Sequence, residues 1–141
     1  MGNRAIITLE DDHGTRHPVA LYVHWNGGLE STLAFVQYTW ERFARGRDDL
    51  FTFQARLCQV IGNFFPDGLS LYGLPLAKAQ DWATQNGIWH FRIVRNGITL
   101  PDAPERLEQI RQHPYWTQTP NILETIMKHM PANPADTDAV S

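Results

Sequence analysis

The sequence is poor in the residues and segments that cross-link a chain or carry it into a membrane. Its 141 residues include a single cysteine, Cys58, which excludes an internal disulfide and any cysteine-based zinc cluster. There is also no long apolar run and no basic-then-apolar leader, so we find neither a membrane span nor a secretory signal. A soluble protein of a reducing, cytoplasmic compartment is expected.

Blocks of positive charge are missing as well. The 15 acidic residues outnumber the 12 basic ones, for a formal charge of −3 at neutral pH, and the basic residues are scattered, which argues against a broad surface for duplex DNA. The length and the 43% apolar content suit one domain with an ordinary core. We expect that domain over residues 1–130 and a disordered tail over 131–141, where proline, alanine, aspartate and threonine dominate.

What the sequence does contain is a strand that runs through a glycine turn into a helix, over residues 19–36. Four apolar residues alternate with other side chains before the turn, as in a half-buried strand: Val19, Leu21, Val23 and Trp25. After it, apolar residues recur at steps of four and three, as on one side of a helix: Leu29, Leu33, Val36, Trp40 and Phe43. The period changes across Asn26-Gly27-Gly28, and the other elements are placed around this joint.

The same patterns place the remaining strands and helices. Further strands are predicted over residues 3–10, 69–74, 87–94 and 98–100, separated by turn-rich segments. Helices are predicted from Gly28 or Leu29 to Arg45, from Asp48 or Asp49 to Asn63, and over 105–112 and 121–130. Residues 75–85 are interpreted as either a short helix or an irregular loop.

These elements predict an α+β fold. An antiparallel sheet of four to five strands carries a helical hairpin on one face, and short C-terminal helices follow. The opposite face of the sheet is expected to be open or paired with a second copy of the chain.

The glycine turn is the first candidate binding site. Gly27 and Gly28 at a helix N-terminus expose main-chain N–H groups that suit a phosphate or carboxylate. His24, Trp25 and Asn26 stand just before them and offer a titratable ring, a stacking surface and an amide. The alternative is a turn that serves only the chain, with its first helical turn satisfied by nearby side chains. The spacing matches neither the phosphate-binding loop nor the dinucleotide fingerprint.

A second candidate lies on the second predicted helix. Arg56, Gln59 and Asn63 recur at steps of three and four and form a polar stripe beside the apolar one. Such a stripe lines a ligand cleft in one interpretation and is a solvated face in the other.

Side chains on the open sheet face form a third candidate. Tyr22, His24, His90 and Arg92 become neighbours if the two central strands pair. Aromatic and arginine side chains on a sheet are typical of single-stranded RNA modules and of protein interfaces alike. Because the surrounding charge is not basic, we expect an interface formed by Tyr22, His90 and Arg92.

Signs of an enzyme are few. Cys58 lies among apolar residues and is interpreted as a core thiol. No serine-elbow motif and no deaminase zinc motif occurs, and no histidines and carboxylates complete a metal set. An acid–base pair of His24 and Glu30 across the turn is the remaining catalytic hypothesis.

Three separated stretches carry a resemblance to a known family. They are Asn3-Arg4-Ala5-Ile6-Ile7, Tyr22-Val23-His24-Trp25-Asn26-Gly27-Gly28 and Arg56-Leu57-Cys58-Gln59-Val60-Ile61-Gly62-Asn63-Phe64-Phe65. In this order they resemble the motifs of a family of small, largely uncharacterised proteins from bacterial phages and prophages. The resemblance covers about the first half of the chain. It implies an accessory protein of the bacterial host cytosol, where antagonism of host defence is one common role.

The expected function is therefore binding without catalysis and without a cofactor or metal. The leading hypothesis is a phage-type protein that antagonises a bacterial defence system by sequestering a nucleotide-derived ligand. One alternative is an anti-CRISPR-like inhibitor that occludes a host defence protein. The other is a small nucleotide hydrolase that uses His24.

Overall fold

The sheet and its helices follow one another in an order close to the predicted one. The computed structural model describes residues 2–43, 47–65, 67–76 and 85–117, with Glu124 and Lys128. The strands are β1 (Ala5–Glu10), β2 (Val19–Val23), β3 (Leu69–Gly73), β4 (Ile88–Val94) and β5 (Gly97–Thr99). The helices are α1 (Leu29–Arg42), α2 (Leu50–Phe64), α3 (Pro104–Gln112) and α4 (Pro114–Thr117). The predicted helix over 121–130, apart from Glu124 and Lys128, lies outside the described residues, as do the tail and most of 75–85.

The α+β fold with a helical hairpin on the sheet is confirmed. The five strands lie in the order β3-β2-β1-β4-β5. Three neighbouring pairs are antiparallel, whereas β1 and β4 are parallel, so the sheet is mixed. The parallel pair arises because the chain crosses from β3, at one edge, to the far side of β1 before it enters β4. Among the helices of the described part, none has the length and apolar character needed to cross a membrane.

The helical hairpin is held to the sheet by one large core and by polar contacts at the helix ends. Phe35 of α1, Phe53 of α2 and Phe91 of β4 are all fully buried in that core. Asp49 caps α2 through its side chain, which accepts the Phe51 N–H. This cap fixes where α2 begins, beside the end of the sheet where β1 stops.

The sheet face opposite the helices is covered within the chain, whereas it was expected to be open or paired with a second copy. Ile6, Ala20 and Tyr22 form a second apolar cluster with Leu76. Tyr22 is only 8% exposed. The central strand β1 is therefore buried on both faces, and all six of its residues are buried. Alternation in β2 and β4 predicted one solvated face because it reports side-chain type and not what lies above it.

The joint between β2 and α1 is packed too closely for a side chain at Gly27. A Cβ there would meet the Asn3 carbonyl oxygen and lie 2.8 Å from the Arg4 carbonyl carbon and 2.9 Å from the Ala5 Cβ. The Gly27 N–H donates to the Asn3 carbonyl at 2.7 Å, and its own carbonyl accepts the Trp89 indole N–H at 2.8 Å. The missing side chain lets the start of α1 touch β1 and β4 together.

Replacing Gly27 by alanine should destabilise the fold by overpacking this joint. We expect Gly27→Ala to lower the free energy of unfolding by about 1–3 kcal/mol, measured by urea denaturation. Gly62→Ala in α2 is the matched control, because nothing lies within 4 Å of a Cβ there. That change should raise stability by about 0.5 kcal/mol through helix propensity. Equal effects of the two substitutions would contradict the steric explanation.

Candidate functional site

The N–H and carbonyl groups of Gly27 in the glycine turn are already hydrogen-bonded within the chain. The Gly27 N–H is bonded to Asn3, and a Cβ at Gly28 would lie 3.1 Å from the Glu30 carboxylate. One predicted donor is therefore occupied, and an acidic group that repels anions stands beside the other. These contacts agree with the alternative interpretation, a turn that serves the fold.

The side chains before the turn contact one another. The His24 Nδ1 lies 2.8 Å from the Tyr22 hydroxyl, and its ring meets Trp25 edge-on at 4.5 Å. Trp25 remains exposed. Asn26 adopts a left-handed φ of 56°, a conformation that asparagine tolerates. None of the contacts between described residues joins His24 to Glu30, which leaves the hydrolase hypothesis without its carboxylate.

In the polar stripe of α2, Arg56 contacts neighbouring side chains. The Arg56 guanidinium donates to the Gln59 amide oxygen at 3.0 Å and lies 5.2 Å from the centre of the Phe43 ring. Gln59 and Asn63 are exposed. Within the described part of the chain, no hydrogen bond or ring contact connects this stripe with the glycine turn.

The predicted interface residues lie apart, and two of them are buried. Strand β1 separates β2 from β4, so Tyr22 does not neighbour His90 as the expected pairing required. His90 is 5% exposed and Tyr22 is almost as buried, while Arg92 keeps part of its side chain in solvent. Of the three, Arg92 alone offers appreciable surface to a partner in this arrangement.

His90 and Arg92 instead belong to a buried polar network on β1 and β4. The parallel register places Thr8 beside His90 and Glu10 beside Arg92. The Thr8 hydroxyl lies 2.7 Å from His90 Nδ1, the other ring nitrogen contacts the Glu10 carboxylate, and Arg92 Nε donates to that carboxylate at 2.8 Å. Burial alone would raise the pKa of Glu10, but the hydrogen bonds from His90 and Arg92 outweigh it and hold the pKa below its ordinary value of 4.5.

This hydroxyl, imidazole and carboxylate resemble a hydrolytic triad in composition but not in access. Thr8 is 1% exposed, so no substrate carbonyl can approach its oxygen. The network satisfies polar groups that β1 carries into the interior. Its role is structural.

A bulge just before β2 shapes the surface near the end of β1. β1 pairs Ile7 with Leu21, yet two residues further on, the Leu9 carbonyl accepts the N–H of His17. From Leu21 back to His17 the chain thus uses four residues where β1 uses two, and Pro18, which has no N–H to donate, lies in the extra segment before β2. The Val19 N–H donates to His17 Nδ1 at 3.0 Å, which fixes the imidazole under the bulge.

Phe51 of α2 packs on that imidazole. The two ring centres are 4.8 Å apart. His17 is buried, whereas Phe51 is 66% exposed. Burial lowers the pKa of His17 against the raising effect of its contact with the Val19 carbonyl, which favours the neutral ring. The sequence places Phe51 at the start of a helix and gives no sign that it meets residue 17.

A groove of about 560 Å³ surrounds this pair of rings. It lies between the β1–β2 connection, the α1–α2 connection and the end of β4. Its described lining combines aromatic, basic and acidic side chains: Asp11, Asp12, His13, Thr15, Arg16, His17, Arg47, Asp48, Asp49, Leu50, Phe51, Ile93 and Arg95. A volume of this size suits a small organic ligand.

Several charges in the groove already have partners. The Asp11 carboxylate accepts the N–H groups of His13 and Thr15, each at 2.9 Å. A hydrogen bond from the Thr52 hydroxyl lowers the pKa of Asp49. The Arg47 guanidinium donates to carbonyls at the end of α1, including that of Trp40 at 2.7 Å. The cations left to a ligand are mainly those of Arg16 and Arg95.

Metal and thiol chemistry find no support in the described residues. No group of three or more metal-ligating side chains comes together among them. Burial raises the pKa of the Cys58 thiol, which agrees with its interpretation as a core residue. No protein-family model matches the chain, and comparisons with curated proteins and with solved structures give no match either.

The Glu10 network should make the fold sensitive to acid. Because the folded pKa of Glu10 lies below 4.5, its carboxylate contributes stability that is complete above that pH and is lost as the pH falls through the folded value. We expect Glu10→Gln to cost about 3 kcal/mol at pH 7 and to flatten the fall in unfolding free energy below pH 4.5. Urea denaturation at a series of pH values measures both effects.

The control for this prediction is Asp12→Asn. The Asp12 side chain is largely exposed and lies 3.5 Å from His13, so its loss should change stability by no more than about 0.5 kcal/mol. If Glu10→Gln and Asp12→Asn gave the same stability and the same pH profile, the network would have no structural role.

Proposed function

We propose that the protein is a non-enzymatic binding protein that holds a nucleotide-derived ligand in the groove beside the β2 bulge. The observation that supports this proposal is the position of Phe51. This residue is 66% exposed, yet the centre of its ring lies 4.8 Å from the centre of the buried His17 ring. A ring fixed from below presents a rigid face on which a nucleobase can stack. The strand bulge that positions His17 is a feature often found beside binding sites.

Arg16 and Arg95 supply positive charge around that ring. Arg16 is exposed. Arg95 approaches Asp48 only to 3.9 Å, and both side chains are largely in solvent, so this pair contributes little and can rearrange for a ligand. A guanidinium binds phosphate oxygens with two parallel hydrogen bonds. A stacked base with a phosphate group nearby fits this arrangement.

The acidic side chains narrow the ligand class. Asp11 and Asp49 are occupied by backbone and hydroxyl donors, but Asp12 and Asp48 are exposed at the groove. These carboxylates repel a dense negative charge. Ligands with one charge on each phosphate, such as the phosphodiesters of cyclic dinucleotides or the pyrophosphate of ADP-ribose, fit better than a nucleoside triphosphate.

The groove also favours binding over turnover. Among its described lining residues, Thr15 supplies the single hydroxyl and there is no serine or cysteine. His17 uses its Nδ1 to hold the bulge, so it is tied to the fold. These residues can orient a ligand, and no contact between described residues joins the Thr15 hydroxyl to a general base.

The biological setting of the proposal comes from the resemblance to phage and prophage proteins. A ligand-sequestering protein in the bacterial cytosol would lower the concentration of a nucleotide signal that a defence system reads. This role requires a stoichiometric amount of protein and a Kd below the concentration of the signal.

Phe51→Ala should abolish most of the stacking contribution to binding. In calorimetry with cyclic dinucleotides, ADP-ribose and AMP, we expect at least one ligand to bind and its Kd to rise about tenfold or more in the variant, since stacking contributes ~1–3 kcal/mol per base. Arg16→Gln should weaken the same ligand while leaving a neutral nucleoside unaffected. Phe51 is exposed, so its truncation should not disturb the core.

Trp25→Ala is the matched control, because it removes an exposed aromatic ring at the glycine turn. If the ligand binds in the groove, this variant should bind it with an unchanged Kd. Loss of binding in Trp25→Ala with full binding in Phe51→Ala would move the site back to the turn. No binding of any of these ligands would reject the nucleotide proposal.

A further inference from the structure

β3 is an edge strand, and its outer side has no strand partner among the described residues. The His24 N–H donates to the Gly68 carbonyl at 2.8 Å, and the Leu74 N–H donates to the Pro18 carbonyl at 3.0 Å. In an antiparallel pair the residues that exchange such bonds alternate along the strand. The main-chain groups of Ser70 and Tyr72 therefore face β2.

The intervening residues direct their main-chain groups away from the sheet. They are Leu69, Leu71 and Gly73, which the register places opposite Val23, Leu21 and Val19. Leu71 is 57% exposed. The strand holds no charged residue and no proline between positions 69 and 73, so it lacks the devices that usually protect an edge from pairing.

We propose that this edge pairs with the same edge of a second copy of the chain. An antiparallel arrangement about a two-fold axis at Leu71 joins the two five-stranded sheets into one of ten strands. The outward N–H and C=O groups of Leu71 then bond to those of the other Leu71. Leu69 of one copy lies opposite Gly73 of the other, where a Cβ would meet nothing within 4 Å, so there is room for the leucine side chain.

The charges beside the strand favour a second copy over a charged peptide. Asp67 is exposed just before β3, and the two-fold arrangement places it opposite Pro75 of the other copy. The two Asp67 carboxylates are then ~26 Å apart at a rise of about 3.3 Å per residue, so they do not repel each other. An uncharged strand gives a charged peptide no opposite charge to pair with, whereas self-pairing needs none.

The dimer does not depend on the proposed ligand. No residue of β3 lines the groove, and the groove lies at the end of the sheet formed by the β1–β2 and α1–α2 connections. Either proposal can therefore fail while the other stands.

Sedimentation equilibrium over a concentration series tests the pairing. We expect the wild type to approach twice the chain mass of 16.2 kDa and Leu71→Lys to raise the dimer Kd about 100-fold or more, because two ammonium groups would face each other across the axis. Leu71→Thr, which keeps the strand but shortens the apolar side chain, should weaken the dimer less. Circular dichroism confirms that each variant is folded.

Phe51→Ala is the matched control, because it removes an exposed apolar ring of α2 and leaves the β3 edge unchanged. This variant should dimerise as the wild type does. A wild type that stays monomeric at high micromolar concentration would overturn the proposal. So would a folded Leu71→Lys variant that still dimerises, or a Phe51→Ala variant that does not.

Discussion

The burial of β1 on both faces is the constraint on which the arrangement of the sheet depends. Thr8 and Glu10 take a hydroxyl and a carboxylate into the interior, and each needs a partner there. The parallel register with β4 supplies His90 and Arg92 at the matching positions. A shift by one residue would turn those side chains to the other face and leave a buried carboxylate unpaired. The polar pairs thus define a register that apolar side chains alone would leave less specific.

Much of the fold was predictable from local patterns, because β2, β4 and the helical hairpin have clear periodicity, while β3 and β5 are indicated mainly by the turns that precede them. The parallel neighbour of β1 was not, since it depends on a contact between residues 82 positions apart. Burial of the second face was missed because His90 and Arg92 looked like solvent-facing residues. The consecutive apolar residues Ala5, Ile6 and Ile7 were the available signal, as an uninterrupted run is typical of a strand covered on both sides.

The candidate site was harder to predict than the fold. The N–H groups of Gly27 and Gly28 were expected to bind an anion. At Gly27, however, the absence of a side chain is explained by the close contact with Asn3. The groove joins His17 and Phe51 through a bulge that begins just before the alternating run of β2, where no pattern marks it. Topology offered a partial clue: a helix that starts where β2 ends must return to the end of the sheet where β2 begins, so the α1–α2 connection meets the β1–β2 connection there.

The pairing of the first strand with the fourth also has a consequence for the order in which the protein can be made. During synthesis β1, β2 and both helices leave the ribosome before β4 exists. One side of β1 then has no hydrogen-bonding neighbour, and the Glu10 carboxylate has neither His90 nor Arg92. Closing the long loop between β1 and β4 is slow. A nascent chain that pauses before β4 leaves the apolar strand β1 exposed to aggregation. The centre of the sheet is therefore completed only after residue 94 has emerged.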